Sequence, residues 1–339
     1  SGPVLFLPEV AGSEGHRMDG PDVIFGFGVA GRAIAERLAA AGRPVRVAQR
    51  SRPADLPAGM EFIRCDVLDR ASVMNAAAGA ARIVIAIGFA YDTKVWAECW
   101  PRAMTNFLAA AEATGAPTLF FDNMYMYGPQ DGPIRENTPF APWGGKPAVR
   151  RAISEMWQAA SSEGRVRMSA LRVSDFYGPG VTNSHLGELV FGRLAAGKAA
   201  QFAVPIDHPH DVAHIPDAAR AAQTLLDAPE DAWGQVWHMP CAETRTLREI
   251  ATMAAKAMDR APRIQTVPAI LQPLLRMAVP ILREVHDMRF LFDRPYHIDA
   301  TKFTARFWSD VTPIEVGVAE TARHFLHAAS SDTRRKQRA

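Results

Sequence analysis

Cysteine is scarce. Cys65, Cys99 and Cys241 are the three in 339 residues, widely spaced and odd in number. That argues against a disulfide framework and against the paired spacing of a zinc site, and it suits reduced core thiols in a cytoplasmic protein. Net charge is nearly absent as well, a formal +2, and aromatics do not alternate with basic residues, so no nucleic-acid partner is expected. No run approaches the roughly 20 apolar residues that a membrane span requires. There is no internal repeat and no low-complexity tract. The basic cluster Arg334-Arg335-Lys336-Gln337-Arg338 is expected to belong to a disordered, solvated tail over 331–339. Residues 1–17 precede Met18 and hold a short apolar run, Pro3–Pro8, with no basic region before it. They are expected to be a processed leader or an expression remnant, not a signal peptide.

What is present is more informative. Val23-Ile24-Phe25 reads as a strand that runs into Gly26-Phe27-Gly28-Val29-Ala30-Gly31 and then into a helical pattern from Arg32. A dinucleotide site needs that order. One glycine makes the tight turn, one lets the backbone approach a pyrophosphate, and one packs helix on strand. The phosphates then meet free N–H groups at the helix N-terminus. A second strand, 45–50, follows. An NAD site places a carboxylate near its end to hold the ribose 2′-hydroxyl; here the chain has Gln49, Arg50, Ser51 and Arg52. Two guanidiniums and a hydroxyl suit a 2′-phosphate. NADP(H) is therefore expected in preference to NAD(H).

Further apolar runs at 61–66, 82–88 and 118–122 read as strands, with helices from Ser72 and across 95–113 between them. Continuous apolar strands alternating with helices predict an α/β fold, a Rossmann-type doubly wound parallel sheet. Ligands in such sheets bind beyond the carboxyl ends of the strands, so the loop at Gly88 joins the expected cofactor site. Beyond residue 175 loops lengthen and prolines gather, which suggests a smaller C-terminal substrate-binding lobe. The expected division is a dinucleotide-binding domain over 18–174, to which the chain returns at about 211–240, and a lobe built from 175–210 and 241–330. The apolar stretch 270–277 reads as a helix of that lobe. Phe176, His185, Phe202, Met288 and Phe292 are expected to line its pocket. His208, His210 and His214 lack metal-site spacing, so no metal is expected.

From Val23 to about Leu326 the chain resembles the extended short-chain dehydrogenase/reductase family, whose members include nucleotide-sugar epimerases and dehydratases. The Gly26/Gly28/Gly31 loop, Asp66-Val67, Tyr127-Gly128-Pro129, the segment Leu171–Gly180 and Asp217-Ala218-Ala219 carry the resemblance, with Arg294–Asp299 and Thr312–Gly317 near the end. It implies that Asp66 and Val67 lie against the adenine. It also implies a Ser or Thr before the Tyr-Gly, then Tyr-x-x-x-Lys. In their places stand Asn123, Lys146 and Arg150. The usual proton relay through tyrosine is therefore missing.

Arg150 is expected to hold the nicotinamide ribose hydroxyls and to supply positive charge, although a guanidinium cannot be the acid. Lys146 is a candidate acid, eased toward proton release by Arg150 and partial burial, or else a cofactor contact. Because Pro147 suits the first helical position, Lys146 is expected at the helix cap, out of line with Arg150. Tyr125, two residues past Asn123, would point the same way in an extended segment. Its phenol is then the alternative replacement, with Asn123 donating to substrate oxygen. Tyr127 and Tyr177 read as structural, and Tyr91 as an outlying candidate.

The leading functional expectation is an NADP(H)-dependent oxidoreductase reducing a carbonyl or a conjugated enone, whose oxygen needs stabilisation more than full proton transfer. The alternatives are a nucleotide-sugar epimerase or dehydratase and a catalytically silent NADP-sensing regulator. A small-molecule substrate and a homodimer fit each of them.

Overall fold

The computed structural model describes residues 20–267 and 280–338. The expected leader, 1–17, and the helix expected at 270–277 lie outside the described residues. Seven strands make the central sheet: β1 Asp22–Phe25, β2 Val45–Gln49, β3 Glu61–Arg64, β4 Arg82–Ile85, β5 Thr118–Asp122, β6 Met168–Arg172 and β7 Val236–His238. Their order is β7-β6-β5-β4-β1-β2-β3 and every neighbouring pair is parallel. The order reverses between β1 and β4, which opens the crevice where such sheets take ligands. The five strands expected from the sequence all form, the third and fourth ending early at Arg64 and Ile85. Past β3, Cys65 N–H still donates to the Gln49 carbonyl at 2.9 Å. The Asp66 carboxylate then accepts the Leu68 N–H at 3.0 Å and turns the chain.

Alternating side chains divide each strand between two covers. Phe25, Ile85 and Phe120 pack under α2 Arg70–Ala77, α3 Thr93–Thr114 and α4 Gly145–Ser162, against Trp100, Phe107 and Trp157. Ile24, Val84 and Leu119 face the other way, against Ile34 and Leu38 of α1 Val29–Ala40 and Leu225 of α5 Ile215–Leu226. Helix boundaries follow local chemistry: Asp92 accepts the Lys94 and Val95 N–H groups at the start of α3, and Gly115 at φ +64° ends it.

A third core, including Phe191, Leu194, Leu247, Ile250, Phe290 and Phe325, joins the C-terminal part of the chain to Met124, Met126, Tyr127 and Ile134 after β5. Its helices include α6 Leu247–Ala257, α7 Pro280–Asp287 and α8 Ile314–Arg338. Residues 331–338 of the stretch expected as a disordered tail instead continue α8 through Arg338. Arg, Lys and Gln are good helix formers, and extending an existing helix avoids the cost of nucleation. None of the described helices is long and apolar enough to cross a membrane.

Candidate active site

The three glycines of the loop after β1 have different surroundings. A Cβ at Gly26, whose φ is +93°, would stand 2.6 Å from the Ala86 carbonyl oxygen. One at Gly31 would stand 2.1 Å from the Gly26 oxygen. Backbone fills both places. A Cβ at Gly28 would meet nothing within 4 Å. Gly28 caps α1 without a side-chain hydrogen bond, and the first turn holds no acidic residue. The leading N–H groups at Val29 and Ala30, which no helix can satisfy internally, thus remain for an anion. This donor set fits a dinucleotide pyrophosphate.

At the end of β2, Gln49 Oε1 accepts the Phe27 N–H at 3.1 Å while its Nε2 donates to the Ser51 carbonyl at 2.8 Å. An amide committed to bracing the glycine loop replaces the ribose-binding carboxylate. Arg50, Ser51 and Arg52 are exposed beside it, and Arg52 stands 5.7 Å over the Phe62 ring. Arg32, which sequence reasoning passed over, lies 4.5 Å above the Phe27 ring and pairs with Asp55 at 2.6 Å and Glu36 at 3.2 Å. Its only sequence signal was its place directly after the third glycine. The Val67 carbonyl accepts from Asn106 at 2.9 Å, which fixes the Asp66-Val67 loop. Space is open at Gly88, where a Cβ would meet nothing within 4 Å.

The replacement catalytic residues are arranged differently from the expectation. Lys146 is the second residue of α4, not its cap. Pro147 takes the third position, where a missing N–H still costs no helical bond. The Lys146 and Arg150 side chains nevertheless serve separate partners. Lys146 Nζ donates to Thr93 Oγ1 at 3.2 Å, pairs with Glu284 of α7 and lies 4.2 Å over the Tyr91 ring. Arg150 Nη1 donates to Asp122 Oδ1 at 3.0 Å, and its guanidinium lies 4.0 Å from the centre of Trp100. Among the described residues its buried Nε has no hydrogen-bond partner. Burial pulls this guanidinium below its ordinary range, with Asp122 and Tyr125 acting against the shift.

Asn123 and Tyr125 do not share an extended segment. Tyr125–Tyr127 forms a 3₁₀ turn, and Asn123 Oδ1 accepts the Tyr125 N–H at 3.1 Å. A short amide side chain favours this local turn over continued strand. Only the Asn123 amide NH₂ is left to donate. The Tyr125 ring stacks on Trp96 at 6.1 Å, and its phenol lies close enough to that of Tyr91 for the two to influence each other. Burial, reinforced by Asp175, pushes the Tyr125 phenol above its ordinary value, so it stays protonated at neutral pH. Burial does the same to Tyr91. Tyr91 is thus the residue that meets both Lys146 and Tyr125. Glu284 feels two opposed influences: burial raises its carboxyl, while hydrogen bonds from Lys146 and Thr93 outweigh it and leave the group below the ordinary range.

Asp175 follows β6 at the same edge and lies 3.1 Å from His210. It lies in the Leu171–Gly180 segment, where no site role was expected for it. Of the pocket residues expected, His185 and Phe292 meet at 4.5 Å, Phe202 and Met288 are buried in the lobe core, and Phe176 packs on Phe121 at 6.4 Å. His208 is exposed and His214 is buried, 3.8 Å from Asp217. No cluster suited to a metal ion occurs among the described residues.

Residues 23–238 match the sequence profile of the NAD dependent epimerase/dehydratase family. The chain belongs to that family. Membership supports enzyme status and a nicotinamide nucleotide as the cofactor class, and it favours the epimerase/dehydratase alternative over enone reduction. The fold is shared with the Thermus thermophilus UDP-glucose 4-epimerase complexed with NAD, at 20% identity and TM-score 0.71, over 90% of this chain and 98% of that one. The Bacillus cereus UDP-glucuronic acid 4-epimerase, in complex with UDP-glucuronic acid and NAD, has 13% identity and TM-score 0.75, over 91% and 99%. The Bordetella bronchiseptica enzyme WbmH, complexed with NAD+, has 19% identity and TM-score 0.70, over 91% and 99%. No curated protein sequence matches the chain.

Proposed function

We propose that this family member binds NADP(H) along the glycine loop and acts as an epimerase- or dehydratase-type enzyme on a nucleotide sugar. The observation that carries the reading is the glycine pattern, closed at Gly26 and Gly31 and open at Gly28. The N–H groups from Gly28 to Gly31 hold the pyrophosphate, with Phe27 behind them. Arg50, Ser51 and Arg52, joined by Arg32, take the 2′-phosphate, and Asp66 and Val67 border the adenine. Gly88 leaves room on the nicotinamide side. Arg150, whose Nε is not spent on a partner among the described residues, would hold the nicotinamide ribose. The cofactor supplies a reversible hydride acceptor. The protein orients the substrate, and Asn123 and the protonated Tyr125 donate hydrogen bonds to its oxygen, stabilising developing charge.

Calorimetry of NADPH against NADH tests the cofactor. Arg50→Ala should weaken NADPH by about 1.5–3 kcal/mol, as loss of a charge-assisted hydrogen bond does, and leave NADH unchanged. Failure of the wild type to bind either nucleotide would refute the proposal. A second reading, a silent nucleotide sensor, is favoured by one observation: Lys146 and Arg150 are both neutralised internally, by Glu284 and Asp122. Tight NADPH binding with no turnover of UDP-glucose or UDP-glucuronic acid supports that reading instead.

A further inference from the structure

Asp175 stands at the carboxyl edge of the sheet, and its charge bears on the phenols of Tyr91, Tyr125 and Tyr296. Its Oδ2 is 3.1 Å from His210 Nε2, and His210 Nδ1 is 3.0 Å from the Leu291 carbonyl oxygen. Both ring nitrogens therefore face acceptors. A carbonyl only accepts, so Nδ1 carries a hydrogen; the contact with the carboxylate requires a second one between Nε2 and Oδ2. The pair holds a proton in common. Phe292 and Tyr296 stack parallel to the imidazole at 4.8 and 4.9 Å and fix its plane.

The two ends of the pair differ in access. The His210 side chain is 2% exposed and that of Asp175 is 22% exposed, so the carboxylate is the end that a small molecule reaches. Among the described residues Asp175 Oδ1 accepts no hydrogen bond, whereas Glu284, the neighbouring carboxylate, already receives Lys146 and Thr93. Burial works to raise the Asp175 carboxyl, but the His210 hydrogen bond and the two histidines prevail and hold it below the ordinary range. It is ionised at neutral pH.

We propose that Asp175, backed by His210, is the catalytic base and acid of this site, in the role left vacant by the missing tyrosine. This rests on the hydride-transfer reading above. When a substrate alcohol is oxidised, its O–H bond breaks and the proton passes to Asp175 Oδ1. The electron pair of the adjacent C–H bond leaves as hydride to the nicotinamide, and the C=O bond forms. On the return step the carbonyl oxygen recovers the proton from Asp175. Hydride acceptor and proton acceptor together balance the reaction, and no other co-reactant enters.

The test uses the full chain loaded with oxidised nucleotide and probed with UDP-glucose and UDP-glucuronic acid, reading reduced nicotinamide absorbance in a single turnover. Asp175→Asn keeps the shape and removes the proton acceptor. It is expected to slow reduction at least about 100-fold, with NADPH affinity unchanged and the fold retained at a lower thermal midpoint, while Asp175→Glu recovers part of the rate. Asp175→Ser carries the same expectation and replaces the Asn variant should that one not fold. An Asn or Ser variant that keeps the wild-type rate overturns this proposal alone. A wild type that binds nucleotide but oxidises neither probe overturns the hydride reading and this proposal with it.

Discussion

Arg150 and Asp122 form a buried ion pair, Nη1 to Oδ1 at 3.0 Å, with the Trp100 ring 4.0 Å from the guanidinium. The same carboxylate faces Arg172 Nε at 3.4 Å, and the Arg172 side chain is fully buried. One negative charge at the end of β5 therefore serves two cations. Removing it strands both, and breaking such a pair costs about 3–5 kcal/mol. Asp122→Asn should lower unfolding free energy by that order in urea denaturation. Arg150→Met should cost less, since Asp122 keeps Arg172. Equal denaturation midpoints for wild type and Asp122→Asn would show that the pair does not hold the site.

Lys146 and Glu284 join α4 to α7, with Thr93 bonded to both. The Glu284 carboxyl lies below the ordinary range in the folded chain, as burial is outweighed by Lys146 and Thr93. An unfolded glutamate titrates near 4.3. The pair's stabilisation is then complete above about pH 5 and is lost as pH falls through the folded value, because the unfolded chain takes up its proton first. Thermal midpoints from pH 3 to 7 should fall less steeply with acid in Glu284→Gln than in the wild type, starting from a lower neutral value. Parallel curves would exclude this linkage.

His238 gives the opposite residue type with the same sign. Its Nδ1 faces the Asp299 carbonyl at 3.2 Å, so Nε2 is the acceptor for the Tyr127 hydroxyl at 2.8 Å. The hydroxyl in turn accepts from Arg172 at 2.5 Å. Burial, then the Arg172 charge, drives the His238 pKa down to about 3. The neutral ring is favoured by the fold above the unfolded histidine value near 6.5. Below that value the unfolded chain binds a proton that the folded chain refuses, and stability declines by up to about 1.4 kcal/mol per pH unit toward pH 3. Tyr127 is pushed up to about 12, chiefly by burial, so it remains the donor throughout. His238→Asn should remove that slope between pH 6 and 4 in urea titrations. Retention of the full slope would assign it to other groups.

The fold was legible because its signals are local. The apolar runs at Val23, Val45, Glu61, Arg82 and Thr118 each became a strand of one parallel sheet. The glycine loop could be read for the same reason, since turn, cap and close packing all occur within six residues. The chemistry beyond it is not local. Glu284 reaches Lys146 across 138 positions, and His210 reaches Asp175 across 35. No spacing rule announces either contact. Asn123 misled in another way: its side chain bonds the backbone two residues on and makes a 3₁₀ turn where alternation implied a strand.

The glycines give the last prediction, because they separate folding from binding within one loop. At Gly26 and Gly31 an added Cβ meets backbone oxygens at 2.6 and 2.1 Å, and φ at Gly26 is +93°. Backbone cannot yield as a side-chain tip can, so Gly26→Ala and Gly31→Ala should each destabilise the chain by roughly 1–3 kcal/mol through overpacking and strain. At Gly28 the added atom meets nothing within 4 Å and the backbone is extended. Gly28→Val should therefore keep the fold, losing no more than the ~1 kcal/mol by which Gly exceeds Val as a helix cap, while blocking the approach of a pyrophosphate and reducing NADPH affinity by tenfold or more in calorimetry. A Gly28→Val variant that binds NADPH as the wild type does would place the nucleotide elsewhere. One that unfolds would show that Gly28, like its two neighbours, is needed for packing.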